Sequence, residues 1–565
     1  MHTLAESLSE YGEVMLAAIA GQWQVEPNED PAELPQRLAA TMLQPARLQA
    51  FVAALDAPAR AALAHVVAAG GSIRGHLMTH AYGELRRLGP RAMEREAPWR
   101  EPASALERLY YAGLLFRRYA RLGSYHGEVY YIPSDVLTSL PPLRAAGTTV
   151  SVTPVPAPPQ PREQGDSLAL DLELLIARLR LQPAPAVRGG IALSYLAALN
   201  PRWWGERDSE RLALLLRVGQ RARLIARRGE EWQVGVAART WLEQEPYRRQ
   251  QALFDAWQGD SAWNELWRIP HLRCEDTGWR NDPLSARQAV LALLRRLPAG
   301  WVRLGDLVAA IKAVQPDFAR PDGDYDSWYI RDRATGQYLS GFAHWEAVEG
   351  ALIRHVVVRM LYWLGAVALD AEEERFALTP AGRAFLRRAA PPPAQPPQPL
   401  EVREDLSLWA HRRTAAFDRV RLERFARWQG REGEIDRYTL DAEAAWQAYN
   451  AGLTPAQVAA FLQRSSGGRV PQTVQRTLGG WQQRFGRVAL QRAVLLQTAD
   501  AETLRQLRKD PELAQHLGAV VSERAVLVPE GQVEPVVARL TALGWWPRLS
   551  GLWAPEGPER PGSPS

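Results

Sequence analysis

At 565 residues, 46% apolar and 23% charged, the chain is long enough for several hydrophobic cores and too apolar to stay disordered. Its one cysteine, Cys274, excludes an intrachain disulfide and any Cys-only zinc site, and fits a reducing compartment. The net charge is only +5, but two of the 68 basic residues are lysines, Lys312 and Lys509, so 66 are arginines. GC-rich coding alone produces such a bias, so the informative signal is where the arginines fall. The opening MHTLAESLSEYGEVMLAAIAG has Glu6, Glu10 and Glu13 where a secretory leader carries basic residues. No run reaches the roughly 18 apolar residues that span a bilayer. The expectation is a cytoplasmic protein.

In chain order, residues 1–45 read as N-terminal helices, and three units with one shared pattern follow. In the first, residues 46–139, the helical stretches DAPARAALAHVVAAGG and SIRGHLMTHAYG precede the run ALERLYYAGLLF. That run stops at Gly113 and leads into the strand LLFRRYARL, a turn at GSYHGE and the strand VYYIP. Residues 140–166 form a proline-rich linker. The second unit, 167–246, contains RLALLLRVGQRARLIARRGEEWQV, with Gly219 ending the helix and a turn at Arg228 to Glu230. Residues 247–283 read as a helical bridge whose tryptophans are core. The third unit, 284–389, ends in VVVRMLYWLGAVALDAEEERFALTPAGRAFL, with Gly365 in the capping role. In each unit a helix-period apolar run meets a glycine suited to a left-handed cap, and a two-stranded ribbon follows, as at the end of a winged helix. The phrase FALTPAGRAFL, with Phe376, Leu378, Thr379, Pro380 and Gly382, resembles the last strand and following helix of many bacterial winged-helix proteins.

After a second proline-rich linker at 390–400, a module spans 401–553 and a tail 554–565. LEVREDLSLWA reads as a strand and RLERFARWQG as a helix. Thr454, Pro455 and Gln457 make a capping box with proline in the first turn, and Val458, Phe461 and Leu462 share one helix face. Beyond Gly467 and Gly468, Pro471 opens a helix with a buried stripe of Val474, Leu478, Trp481 and Phe485. Gln472, Gln475, Arg476, Gln483 and Arg484 are left on its outer faces, completing a helix-turn-helix. The turn is not a nucleotide loop: neither lysine follows a glycine, and the chain contains no GxG. The run from Tyr438 to Pro511, with its turn at 465–470, Pro471, the Phe485 to Leu490 step and Asp510-Pro511, resembles the amino-terminal, non-motor domain of XPB-type helicases and the bacterial helicase-associated proteins that carry it without a motor. The resemblance implies a domain that pairs with partner proteins and helps place a helicase on DNA. The expected class is therefore mainly α with small β-ribbons (α+β): tandem winged-helix units and an XPB amino-terminal-like domain.

Six arginines and no acid lie between Glu210 and Glu230, and again six and none from Ala444 to Ala499, where about six acids would be average. Such clustering is the footprint of a polyanion-facing surface. The candidate nucleic-acid contacts are Arg108, Arg117, Arg118 and Arg121 in the first unit, Arg217, Arg221, Arg223, Arg227 and Arg228 in the second, and Arg464, Arg469, Arg476, Arg484 and Arg487 in the module. Asp370, Glu372, Glu373 and Glu374 on the third ribbon repel phosphate, so that unit is expected to face protein. His76 and His80 lack the HExxH glutamate and a third ligand; His271 and Cys274 make a lone HxxC; Asp322, Asp324 and Asp326 begin a calcium-loop pattern that fails at Ser327 and Arg333. No catalytic residue, metal or cofactor is expected. The leading expectation is a non-enzymatic, helicase-associated DNA-binding protein with a helicase, repair or transcription partner. The alternatives are a protein-interaction scaffold without DNA contact, a winged-helix transcription regulator and, last, an enzyme whose site is assembled from distant acids.

Overall fold

Short strands of three or four residues, invisible to periodicity, organise the helical units. The computed structural model describes residues 2–26, 31–122, 125–143, 152–188, 190–490 and 492–550. About 48% of it is helical and 15% strand, with small antiparallel sheets, matching the expected α+β class. The tail, the turn residues Gly123 and Ser124, and residues 144–151 of the first proline-rich segment lie outside the described residues. Among the described residues no helix is long and apolar enough to cross a membrane.

One chain path occurs three times. In the first, helix Ala57–Ala68 leads to strand Ser72–Arg74, helices Gly75–Tyr82 and Ala105–Tyr111, and the ribbon of Phe116–Leu122 and Tyr125–Tyr131. The short strand pairs with the ribbon's second strand, Ile73 opposite Tyr130. In the second, Ser167–Leu181, Ala184–Val187, Leu193–Ala197 and Ser209–Arg221 precede the ribbon Ile225–Arg228 and Glu231–Val234, with Ala184 opposite Trp232. In the third, Pro283–Leu294, Trp301–Arg303 and Leu304–Val314 are followed by a helical run from Glu346–Gly350 through Ala351–His355 to Val356–Leu361, and the ribbon is Val367–Leu369 with Arg375–Leu378. There Val302 stands opposite Phe376.

Gly113 and Gly365 take left-handed φ values of 68° and 73° after their helices, as expected. Gly219 does not. Its helix continues to Arg221, and the left-handed residue is Arg223, at φ 60°. Gly219 serves packing instead: a Cβ there would meet Leu172 at 3.0 Å and Ile225 at 3.3 Å, so the bare backbone lets the neighbouring helix and strand close in. The phrase FALTPAGRAFL also has a physical basis. Thr379 accepts the Gly382 amide at 2.9 Å and donates its hydroxyl to the Gly365 carbonyl at 2.7 Å, capping helix Pro380–Phe385.

One core joins residues Leu4 to Val136, so the N-terminal helices and the first ribbon unit share an interior; Trp23 stacks on Phe51 and donates to the Ala112 carbonyl. A second core runs from Val152 through the second unit, the bridge and the third unit to Val420. Trp257 and Trp263 are buried in it, but Trp267, expected to be core, is 41% exposed, at the open end of a stack with Trp279 and Trp328. The described part of the first proline-rich segment does not stand free. Val155 bridges Trp301 and Arg162 bridges Leu369, so the segment touches both outer strands of the third sheet. Proline cannot donate to a ladder, which keeps these contacts to isolated bridges.

The chain divides into two units, residues 1–474 and 475–565. In the first, residues 400–474 contribute a four-stranded sheet in the order Glu401–Val402, Ser407–His411, Ile435–Leu440, Ala426–Glu432. LEVREDLSLWA is thus two strands around a turn, with Leu406 at φ 67°. The second half of RLERFARWQG is strand as well: the helix is Ala416–Leu422, while Ala426 and Trp428 alternate inward with exposed Arg427 and Gln429. Pairing with Ile435–Leu440 overrides the helix propensity of the segment. Helix Pro455–Ser465 carries the expected capping box. Helix Gln472–Arg484 buries Val474 and Leu478, but Trp481 is only half-buried and Phe485 is 38% exposed, so the expected stripe ends early. The second unit packs Leu507, Leu513, Val528, Val536 and Leu540 beside the sheet Ala493–Gln497, Ala525–Pro529, Val520–Ser522.

Candidate nucleic-acid interface

Alternation along the first ribbon turns Arg117 and Arg121 outward. Arg117 reaches across the ladder to Glu128, 3.3 Å away, and Arg108 pairs with Asp56 at 3.4 Å. Arg118, on the opposite face, lies 4.7 Å over the Tyr131 ring. Arg121 is exposed opposite His126. Much of this cluster's charge is therefore already balanced.

In the second unit the helix and the ribbon differ. Arg217 and Arg221 project from helix Ser209–Arg221 toward Asp260 of the bridge. Arg217 grips that carboxylate with two nitrogens, Nη2 at 2.6 Å from Oδ1. Burial alone would push the Asp260 carboxyl up, but the Arg217 bond and the Ala262 amide hold it below the usual range. Arg217 is thus a structural ion-pair partner, and Arg221, 4.0 Å from the same acid and bonded to the Gly259 carbonyl, is half tied. Arg227 and Arg228 are exposed at the ribbon tip, and Arg223 is exposed at the ribbon base, where its carbonyl accepts the Ala237 amide. Arg227 Nε donates to the Gly229 carbonyl at 3.0 Å. Among the described residues none of these three has a carboxylate within ion-pair distance.

In the module, Arg464 bonds Asp418 at 2.7 Å and lies over Phe461, so it too is partly neutralised. Arg469 is exposed beyond the glycine turn, at the end of the first structural unit. Arg476 and Arg484 are exposed on helix Gln472–Arg484, and Arg487 follows it, all three in the second unit. Among the described residues these four pair with no carboxylate. The third ribbon is less repulsive than its sequence suggests. Asp370 is buried, accepting the Glu374 and Arg375 amides and the Arg375 guanidinium, and Glu373 pairs with Arg162. Glu372 and Glu374 remain exposed.

A second set of guanidiniums, absent from the expected list, fastens the 400–440 sheet to helix Ser167–Leu181 and its neighbours. Arg202 Nη1 donates to Glu423 at 2.9 Å, and Tyr438 donates to the same carboxylate at 2.6 Å. Arg431 joins Asp436 to the Arg202 carbonyl, and Arg412 pairs with Asp166. Glu173, 3% exposed, takes Arg249 on one oxygen and Arg419 on the other. Burial pulls Arg249 down to about 9 and Arg419 to about 10, with the charge of Asp166 acting against burial in both. The partners of this network stand as many as 246 residues apart, so no local window displays them.

Among the described residues no group of three or more His, Cys, Asp or Glu is placed to hold a metal ion. His76 is bound to Asp317 at 2.8 Å, and His80 packs on Phe342. Burial pushes the Cys274 thiol up to about 11, so it stays protonated and unreactive near neutrality.

A family model described as the helicase conserved C-terminal domain matches residues 400–522, from the four-stranded sheet to strand Val520–Ser522. This ties the protein to helicase-related sequences. Arg464, Arg469, Arg476, Arg484 and Arg487 all lie inside the matched stretch. No curated protein matches the chain.

Proposed function

We propose that the protein is a non-enzymatic, helicase-associated DNA-binding protein that positions or recruits a helicase, or a repair or transcription partner, on DNA. One observation carries this reading: the exposed arginines Arg469, Arg476, Arg484 and Arg487, without carboxylate partners among the described residues, fall within the helicase-related stretch. Guanidinium groups left uncompensated on a surface favour phosphate. The thrice-repeated path of helices, short strand and ribbon supports a winged-helix reading of residues 46–389, with the tip arginines of the second ribbon as wing contacts. The module is read as XPB amino-terminal-like. No reaction is assigned to the chain, because its sequence lacks the phosphate-loop lysine and the GxG fingerprints of a motor. The third ribbon, with Glu372 and Glu374 outward, is assigned to a protein partner.

The test is a fluorescence-anisotropy titration with labelled duplex DNA. Wild-type protein binds, and combined charge reversal, Arg223→Glu, Arg227→Glu, Arg228→Glu, Arg469→Glu and Arg476→Glu, weakens binding by about tenfold or more. Unchanged affinity in that variant, or a wild-type protein indifferent to DNA, removes the reading.

A further inference from the structure

We infer that the solvent face of a small ribbon joining the bridge to the third unit, made by strands Leu272–Cys274 and Ile330–Asp332, is a platform for single-stranded DNA. The inference rests on the DNA-binding reading above and adds to it a surface that the arginine clusters of the sequence do not mark. The two strands are antiparallel, with Arg273 opposite Arg331, and Tyr338 forms a bridge to Arg331. Leu272, Ile330 and Leu339 point into the core, so alternation places Arg273, Tyr329, Arg331 and Tyr338 on the other side. Arg333, whose amide bonds the His271 carbonyl, continues that row.

Two aromatic rings stand on this face. Tyr329 is 48% exposed and Tyr338 43%, with centroids 6.2 Å apart and planes nearly perpendicular. Tyr338 is held in place: Arg331 stacks on its ring at 3.6 Å, and its hydroxyl donates to Glu275 at 3.0 Å, the carboxylate that also accepts Arg331 Nε at 2.8 Å. Glu275 is thereby engaged in orienting a ring and a guanidinium. The nearby acids are committed elsewhere, Asp332 to the turn amides of Ala334 and Thr335, and Asp276 to Arg280. Arg273 and Arg333 are exposed, and among the described residues neither has a carboxylate within ion-pair distance, although Glu275 lies near enough to feel the charge of Arg273. Rigid tyrosines interleaved with arginines on one β-face suit a strand that offers both phosphates and uncovered base faces. A duplex hides its base faces within the stack, so it would engage only the arginines.

The full chain is titrated with labelled oligothymidylate and, separately, with a duplex of equal length. Tyr329→Ala and Tyr338→Ala each lower oligothymidylate affinity about 5- to 100-fold, the usual cost of losing one base–aromatic stack, and leave duplex affinity within about twofold. Because Tyr338→Ala also removes a bond to Glu275, Arg273→Glu provides an independent variant that spares both rings and predicts the same single-strand loss. Oligothymidylate binding unchanged in all three variants overturns the inference, as does equal weakening toward both DNAs by the two tyrosine variants. Wild-type protein that binds duplex but not oligothymidylate overturns it while the DNA-binding reading stands; wild-type protein that binds neither overturns both.

Discussion

Replacing Glu173 by glutamine tests whether the buried arginine network holds the helicase-related module to the helical units. Glu173 lies between Arg249 and Arg419, which are 4% and 7% exposed, so the substitution leaves two guanidiniums facing one neutral amide. Removing one partner of a buried ion pair costs about 3–5 kcal/mol; the glutamine oxygen still accepts one bond, which places the expected loss near 3 kcal/mol. With a urea dependence of about 1–3 kcal/mol per molar, the unfolding midpoint of the region should fall by about 1 M or more. Arg464→Ala is the control. Its partner Asp418 is mostly buried, but the Arg464 side chain is 57% exposed, and a pair with an exposed cation contributes less than about 1 kcal/mol. Tryptophan fluorescence during urea unfolding, with limited proteolysis across the proline-rich segment at 390–400, reads both variants. A Glu173→Gln shift no larger than that of Arg464→Ala would refute the role assigned to the network.

Two further outcomes follow from individual contacts. Asp317 accepts Arg74 at 2.7 Å, His76 at 2.8 Å and Tyr325 at 2.8 Å, linking the first unit to the third. Burial pushes its carboxyl up, but these bonds outweigh burial and hold it below the ordinary value. Since the folded-state value is depressed, its stabilisation is complete above the unfolded value of about 3.9 and disappears as pH falls through the folded one. Asp317→Asn should therefore cost about 2 kcal/mol at neutral pH, with the gap to wild type closing below about pH 4; a gap in denaturation midpoint that stays constant down to pH 3 contradicts this. Thr454→Ala removes the hydroxyl that accepts the Gln457 amide at 3.2 Å in the capping box and should destabilise the module by about 1 kcal/mol, whereas Thr454→Ser should be nearly neutral in the same melts.

What the sequence displayed was local chemistry. The capping box at Thr454, the proline-led helix after Thr379 and the glycines at 113 and 365 each depend on neighbours within a few residues, and all have the expected geometry. Misreadings arose where distant pairing outweighed local pattern. RLERFARWQG carries helix formers, yet Ile435–Leu440 draws its second half into a sheet, and Gly219 had the look of a cap although its lack of a side chain makes room for Leu172. The candidate site was legible in part. An acid-free window identified Arg223, Arg227 and Arg228 along one ribbon, but no window reveals that Asp260, 43 residues on, binds Arg217. The tyrosine–arginine face was hidden because its two strands are three residues long and lie 55 or more residues apart in sequence.

The most direct test is the salt dependence of duplex binding by the full chain. If about six of the exposed guanidiniums displace counterions, log affinity should fall against log salt with a slope near −5, and the five-arginine charge reversal should flatten it. A slope near zero, or one that the reversal leaves unchanged, would contradict the claim that these arginines contact DNA phosphates.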